Sequence, residues 1–208
     1  MVRSFAKQHT NHSGLSLVEA IVYIAVFTIL SLVVTNAIHS MYQYNAYTFA
    51  QAYQVQNARL GIQGLIRDIR EMTFADDGSF PLVVMDSDRV GFYSDIDRDQ
   101  SVEYVEYSYS DSTTFTKEVY NATGSPPVYN LSTPDETYTL SYYVQNNLQS
   151  TSTFMYYDAD GNEVASSTGL IDVRYITAQL IINIDPIRDP GQYMLRSSAA
   201  LRNVKDNL

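Results

Sequence analysis

Residues 13–38 read SGLSLVEAIVYIAVFTILSLVVTNAI, and no other stretch constrains the fold so tightly. Leu15–Ile38 is roughly two dozen mostly apolar residues, enough to cross about 30 Å of hydrocarbon as a helix. Glu19 lies near its start, although an acid at mid-span costs about 2.5–3.5 kcal/mol on insertion scales. Ahead of the run stands a short polar leader, Met1–Gly14, with Arg3, Lys7 and no acid; the next basic residue is Arg59. The positive-inside rule therefore expects the N-terminus in the cytoplasm and the remainder outside. The run is too long for a secretory h-region, and no small-residue cleavage site follows at Asn36–Tyr42.

Composition removes several function classes. The 208 residues carry 23 acids against 13 bases, a net charge of −10. That balance argues against nucleic acid as a partner, since phosphate binding needs a basic face. Without Cys there is no disulfide, thiolate nucleophile or Cys-type zinc site. The histidines are His9, His12 and His39, so no His lies beyond residue 39. This removes Ser-His-Asp, Cys-His and His-ligated metal chemistry from everything after the apolar run. Only carboxylate or Ser-Lys chemistry remains, and Lys117 and Lys205 sit in no recognisable motif. No enzymatic activity is expected.

The junction Gly14-Leu15-Ser16-Leu17-Val18-Glu19 resembles the signal of type IV prepilins and type II secretion pseudopilins. Leu15 stands where Phe is commoner, and the leader is rather long for the family. The resemblance implies that prepilin peptidase cuts between Gly14 and Leu15 and methylates the new amine of Leu15. It also implies a docking role for Glu19, whose carboxylate would meet the cationic amine of a neighbouring subunit. Opposite charges attract strongly in low dielectric, and a buried charge is tolerable when paired. The bland reading of Glu19 is an interfacial acid near the membrane surface.

Beyond the apolar run the helix is expected to continue to about Phe74, roughly 90 Å at 1.5 Å per residue. Ala58, Ile62, Leu65, Ile69 and Met72 recur at three- and four-residue steps, with Arg59, Gln63, Arg67, Asp68 and Arg70 between them. This is an amphipathic pattern. Gly61 and Gly64 weaken it by about 1 kcal/mol each, and Asp76-Asp77-Gly78 ends it. Tyr42, Tyr44, Tyr47 and Tyr53 suit a filament-facing surface or ordinary interfacial and core roles. The chain thus divides into the leader (1–14), a transmembrane or filament-core half-helix (15–40), an amphipathic half-helix (41–74) and a β-rich head (75–208).

In the head, strands are expected near Phe80–Met85, Val90–Ser94, Val102–Ser110, Thr114–Tyr120, Tyr138–Val144, Thr153–Tyr157, Leu170–Ile184 and Tyr193–Leu201, with a turn at Asp160-Gly161-Asn162. The fold class is α+β, a long N-terminal helix packed on an antiparallel sheet. The closing segments, TFMYYDADGNE, LIDVRYITAQLIINID and QYMLRSSAALRN, resemble the last strands of J-type minor pseudopilins and PilW-type minor pilins. The resemblance implies a pilin-like head on a minor subunit, possessed of other pilin or pseudopilin subunits as partners. It would pass from a single-pass form in the cytoplasmic membrane to an extracellular or periplasmic filament, in a tip or initiation complex.

Asp95, Asp97, Asp99, Glu103 and Glu106 fall at positions 1, 3, 5, 9 and 12 of an EF-hand-like loop, the spacing of calcium ligands. Gln100 stands where the sharp turn wants Gly, and the flanks read as strands. A strand from Val102 would carry Glu106 away, leaving Asp95, Asp97, Asp99 and Glu103 as a smaller calcium site, or a solvated acidic turn. The alternative function is a membrane-anchored or pilus-borne module that binds a surface, a glycan or calcium through its acidic, Tyr-rich face.

Overall fold

The helix α1 runs from Leu17 to Arg70, 54 residues. The structure is a computed structural model that describes residues 14–165, 167–187 and 189–201. Ser16 sets the start of α1. Its hydroxyl accepts the Glu19 N–H at 3.2 Å, and its carbonyl accepts the Ala20 N–H at 3.1 Å, which is the geometry of an N-cap.

The chain divides into two compact units, with the break between Ala46 and Tyr47. In the first, no described residue of α1 is buried. Its polar side chains find partners within the helix: Thr28 and Thr35 donate to the carbonyls of Ile24 and Ser31 at 2.7 and 2.8 Å. Such local satisfaction is what a helix in hydrocarbon requires. Among the described residues, α1 is the one helix long and apolar enough to cross a membrane.

In the second unit the expected stripe is buried: Ala58, Ile62, Leu65, Ile69 and Met72 are at most 3% exposed. The helix stops before the expected Phe74. Glu71 N–H is shared between the carbonyls of Arg67 and Asp68, and Thr73 N–H turns to the Tyr93 carbonyl at 3.0 Å. Met72 bridges Ser94, so sheet pairing captures the chain and ends the helix.

Among the described residues ten strands follow: β1 Leu82–Met85, β2 Val90–Ser94, β3 Glu103–Tyr109, β4 Phe115–Tyr120, β5 Ala122–Thr123, β6 Val128–Tyr129, β7 Glu136–Ser141, β8 Phe154–Tyr157, β9 Tyr175–Ile182 and β10 Tyr193–Ala200. All the pairings are antiparallel. They make a five-stranded sheet in the order β1-β2-β3-β4-β7, a three-stranded sheet in the order β10-β9-β8, and the small hairpin β5-β6. The head is therefore two principal sheets rather than one. The segment read as a strand over Leu170–Ile184 begins instead in a 3-10 turn, Ser167–Asp172. Arg174 fastens the bend by donating to the carbonyls of Ile171 and Val173 at 2.6 and 3.1 Å.

The buried stripe of α1, Phe92, Val105, Tyr107 and Phe115 of the larger sheet, and Phe154, Ile176, Ala178, Leu180 and Ile182 of the smaller form one core. The long apolar N-terminal helix thus packs against antiparallel sheets, an α+β arrangement. Gly61 marks the closest approach. A Cβ there would lie 2.5 Å from Leu180 Cδ1 and 3.3 Å from Ser141 Cβ, so both sheets close on the helix at a residue without a side chain. On the other face of the larger sheet, Tyr93, Tyr104, Val102, Tyr120 and Ala75 make a second small core.

Candidate functional site

Three places hold the residues singled out from the sequence. The first is the junction before α1. Gly14, Leu15 and Glu19 are exposed, and residues 1–13 of the leader lie outside the described residues. Ser16-Leu17-Val18-Glu19 has the spacing of a capping box, with Ser at the cap and Glu three residues on. The cap bond from Glu19 N–H to Ser16 Oγ is present. A carboxylate in the first turn also suits the positive end of the helix dipole. This local role for Glu19 was legible in the four residues but masked by the apolar run around them.

The second is the acidic loop between β2 and β3. Asp95, Asp97 and Asp99 each offer a carboxylate oxygen, and these oxygens lie within 4.8 Å of one another. Each also closes a turn of its own. Asp95 accepts the Arg98 N–H at 2.7 Å, Asp97 the Asp99 N–H at 3.2 Å, and Asp99 the N–H and hydroxyl of Ser101 at 2.8 and 2.7 Å. The Ser101 bonds hold the Asp99 carboxyl below its ordinary range. The loop fits the acids as turn formers, and the trio is also placed to offer a hard cation three oxygens.

Glu103 and Glu106 do not complete the set equally. Glu103 is buried and accepts the Ile96 N–H at 3.0 Å and the Ser101 hydroxyl at 3.2 Å. Burial, above all, pushes its carboxyl up. Glu106 sits three residues along β3, hence on the opposite face. It accepts the Tyr104 hydroxyl at 2.9 Å and faces Arg89 at 3.6 Å. The twelve-residue pattern is therefore broken by the strand, and Glu106 belongs to the far face of the sheet.

The third place departs from the sequence pattern. Asp68 falls among the polar positions of α1, yet it is fully buried. Its carboxylate accepts Tyr107 Oη at 2.7 Å, Lys117 Nζ at 2.6 Å and Arg67 Nε at 3.1 Å. A buried carboxylate is tolerable with this many donors. The Tyr107 hydroxyl is pushed up by burial first and by Asp68 second. Arg67 is raised chiefly by the charge of Asp68. Lys117, without a motif in the sequence, is the counter-charge that β4 brings to the helix. Beside it opens a cleft of about 530 Å³ whose walls include Asp97, Glu103, Asn121 and Glu136. Chemically Asp68, Tyr107 and Lys117 are a cross-link between helix and sheet, their polar atoms turned to one another.

Comparison of the chain with protein-family models, with curated proteins and with solved structures finds no match.

Proposed function

We propose that the chain is a minor pilin-type subunit, of a type IV pilus or a type II secretion pseudopilus. In this reading α1 first anchors the protein in the membrane as a single span. Prepilin peptidase cuts between Gly14 and Leu15 and methylates the Leu15 amine, and the subunit then enters a helical filament. Glu19 meets the Leu15 amine of a neighbour, and the β-rich head lies outside the shaft.

One observation carries the proposal. The first half of α1 is apolar on all sides with no described residue buried, and it begins with a lone carboxylate. An apolar surface of that extent calls for lipid or for other helices of the same kind. The start of the helix gives the acid a local reason, and a bundle of processed helices adds a second by supplying the amine.

The test is mass spectrometry of the N-terminus after expression with a prepilin peptidase. The expected product begins at methylated Leu15. Gly14→Ala should block or slow the cut, because the added Cβ restricts the backbone at the scissile bond. A mature protein that keeps its leader, or that is cut elsewhere, would remove this reading.

A further inference from the structure

The edge of the three-stranded sheet at β10 carries the furthest inference. Leu201 N–H donates to the Arg174 carbonyl at 2.9 Å, continuing the β10–β9 register. Antiparallel pairs alternate between bonded and unbonded. Tyr193, Leu195, Ser197 and Ala199 therefore bond to β9, and Met194, Arg196, Ser198 and Ala200 turn their N–H and C=O groups outward. Among the described residues no inter-strand bond takes these groups. Natural edges are usually blunted by Pro, a bulge or inward charge. The eight residues YMLRSSAA have none of these, and Arg196 is the one charge.

A groove of about 440 Å³ runs beside this edge, with Ile62, Ile66 and Ser197 in its lining and Arg67, Arg70 and Glu71 along it. Glu71 is already paired with Arg98 at 2.8 Å. Arg67 is engaged by Asp68 at 3.1 Å, so Arg70 is the arginine left to make the groove positive, in a chain of net charge −10. The opposite character appears at β7, the outer strand of the larger sheet. Glu136–Tyr138 and Thr139 are exposed, and Asp135 and Glu136 lead the strand.

We propose that β10 and the groove beside it that carries Arg70 take the β7 edge of a second copy as an added strand. Main-chain bonds would supply the affinity, as in other strand additions. Asp135 and Glu136 facing Arg70 would supply the polarity of the contact. Each copy carries one edge of each kind, so the contact is head-to-tail and does not close on a pair. It goes beyond the filament reading, does not depend on it, and requires more than one copy per assembly.

The native chain has no Cys, so introduced thiols report one contact each. Full-length Thr139→Cys and Ser198→Cys proteins, reconstituted together in vesicles, are treated with a short bismaleimide that reaches diagonal strand neighbours, about 8 Å apart. The mixture should give a cross-linked dimer at several times the yield of either variant alone. A chain bearing both changes should give a ladder of multimers. Arg70→Glu should cut the yield severalfold, and Glu136→Arg in the other copy should restore it. Val26→Cys in the apolar half of α1 reports helix-mediated association separately. Cross-linking through Val26→Cys without any through the edge pair would overturn the edge contact and leave the filament reading intact. Equal cross-linking of Ser198→Cys alone would also overturn it, as β10 would then meet its own copy.

Discussion

Glu19 has two physical reasons to stand where it does, and substitution separates them. At the start of α1 its N–H takes the Ser16 cap and its charge suits the positive end of the helix dipole; as a docking charge it acts on another subunit. Ser16→Ala removes the cap, worth about 1 kcal/mol, and keeps the carboxylate. Glu19→Gln keeps a side chain able to bond at that position and removes the charge. Under the filament reading, Ser16→Ala should enter filaments nearly as well as the native chain, while Glu19→Gln should insert in the membrane yet be lost from the filament fraction. Equal incorporation of both, read by immunoblot of sheared filaments, would reduce Glu19 to a cap. Asp68 poses a similar question in the head. Asp68→Ala leaves the Lys117 ammonium buried without its counter-charge and should cost about 3–5 kcal/mol. Replacing the pair together, Asp68→Leu with Lys117→Met, should cost much less, because no buried charge is orphaned. Urea unfolding followed by the near-ultraviolet signal of the Tyr-rich core checks both.

At the scale of the element, the two glycines of α1 look alike in sequence and differ in place. A Cβ at Gly64 would meet nothing nearer than Tyr107 Oη at 3.9 Å. Gly64→Ala should therefore realise the helix propensity gain and stabilise the head by up to about 1 kcal/mol. At Gly61 the same gain is opposed by Leu180, which is fully buried, and by Ser141 Cβ. Overpacking costs about 1–3 kcal/mol, so Gly61→Ala should lower the melting midpoint while Gly64→Ala raises it. Midpoints moving in the same direction would show that the helix can shift away from the sheets at Gly61. Gly91 obeys the same logic in β2, where an added Cβ would run into the Tyr104 hydroxyl and ring.

For the molecule as a whole, pH acts through two opposing sets of acids. Asp77, Asp99, Asp111 and Asp158 are held below their ordinary value of 3.8 by hydrogen bonds within their turns. A folded value below the unfolded one adds stability that is present above 3.8 and lost as pH falls through the folded values. Glu103 runs the other way, raised above 4.5 mainly by burial. Its folded state holds the proton more tightly, so stability rises as pH falls from its folded value through 4.5. Thermal midpoints should therefore reach a shallow maximum on the mildly acidic side and fall below about pH 4. Glu103→Gln should remove the rise and leave the acid-side fall; a profile unchanged by Glu103→Gln would show that the buried carboxyl does not titrate in this range.

The sequence alone determined what depends on nearest neighbours along the chain. The length of the apolar run, the stripe from Ala58 to Met72, and the strand at Val90–Ser94 follow from residue type and period, because hydrophobic periodicity needs no knowledge of the partner surface. The turn acids at 95–101 were equally visible, since an Asx turn closes within a few residues. Only the tertiary structure decided which face took Asp68, because its three donors include residues on β3 and β4, distant in sequence. The departure of Glu106 from the acidic loop was legible too, since a strand from Val102 carries it away and puts successive side chains on opposite faces. The division into two sheets and the open edge at β10 came last to view. A strand's residues specify its two faces, but which edge finds a neighbour depends on how the whole chain is threaded.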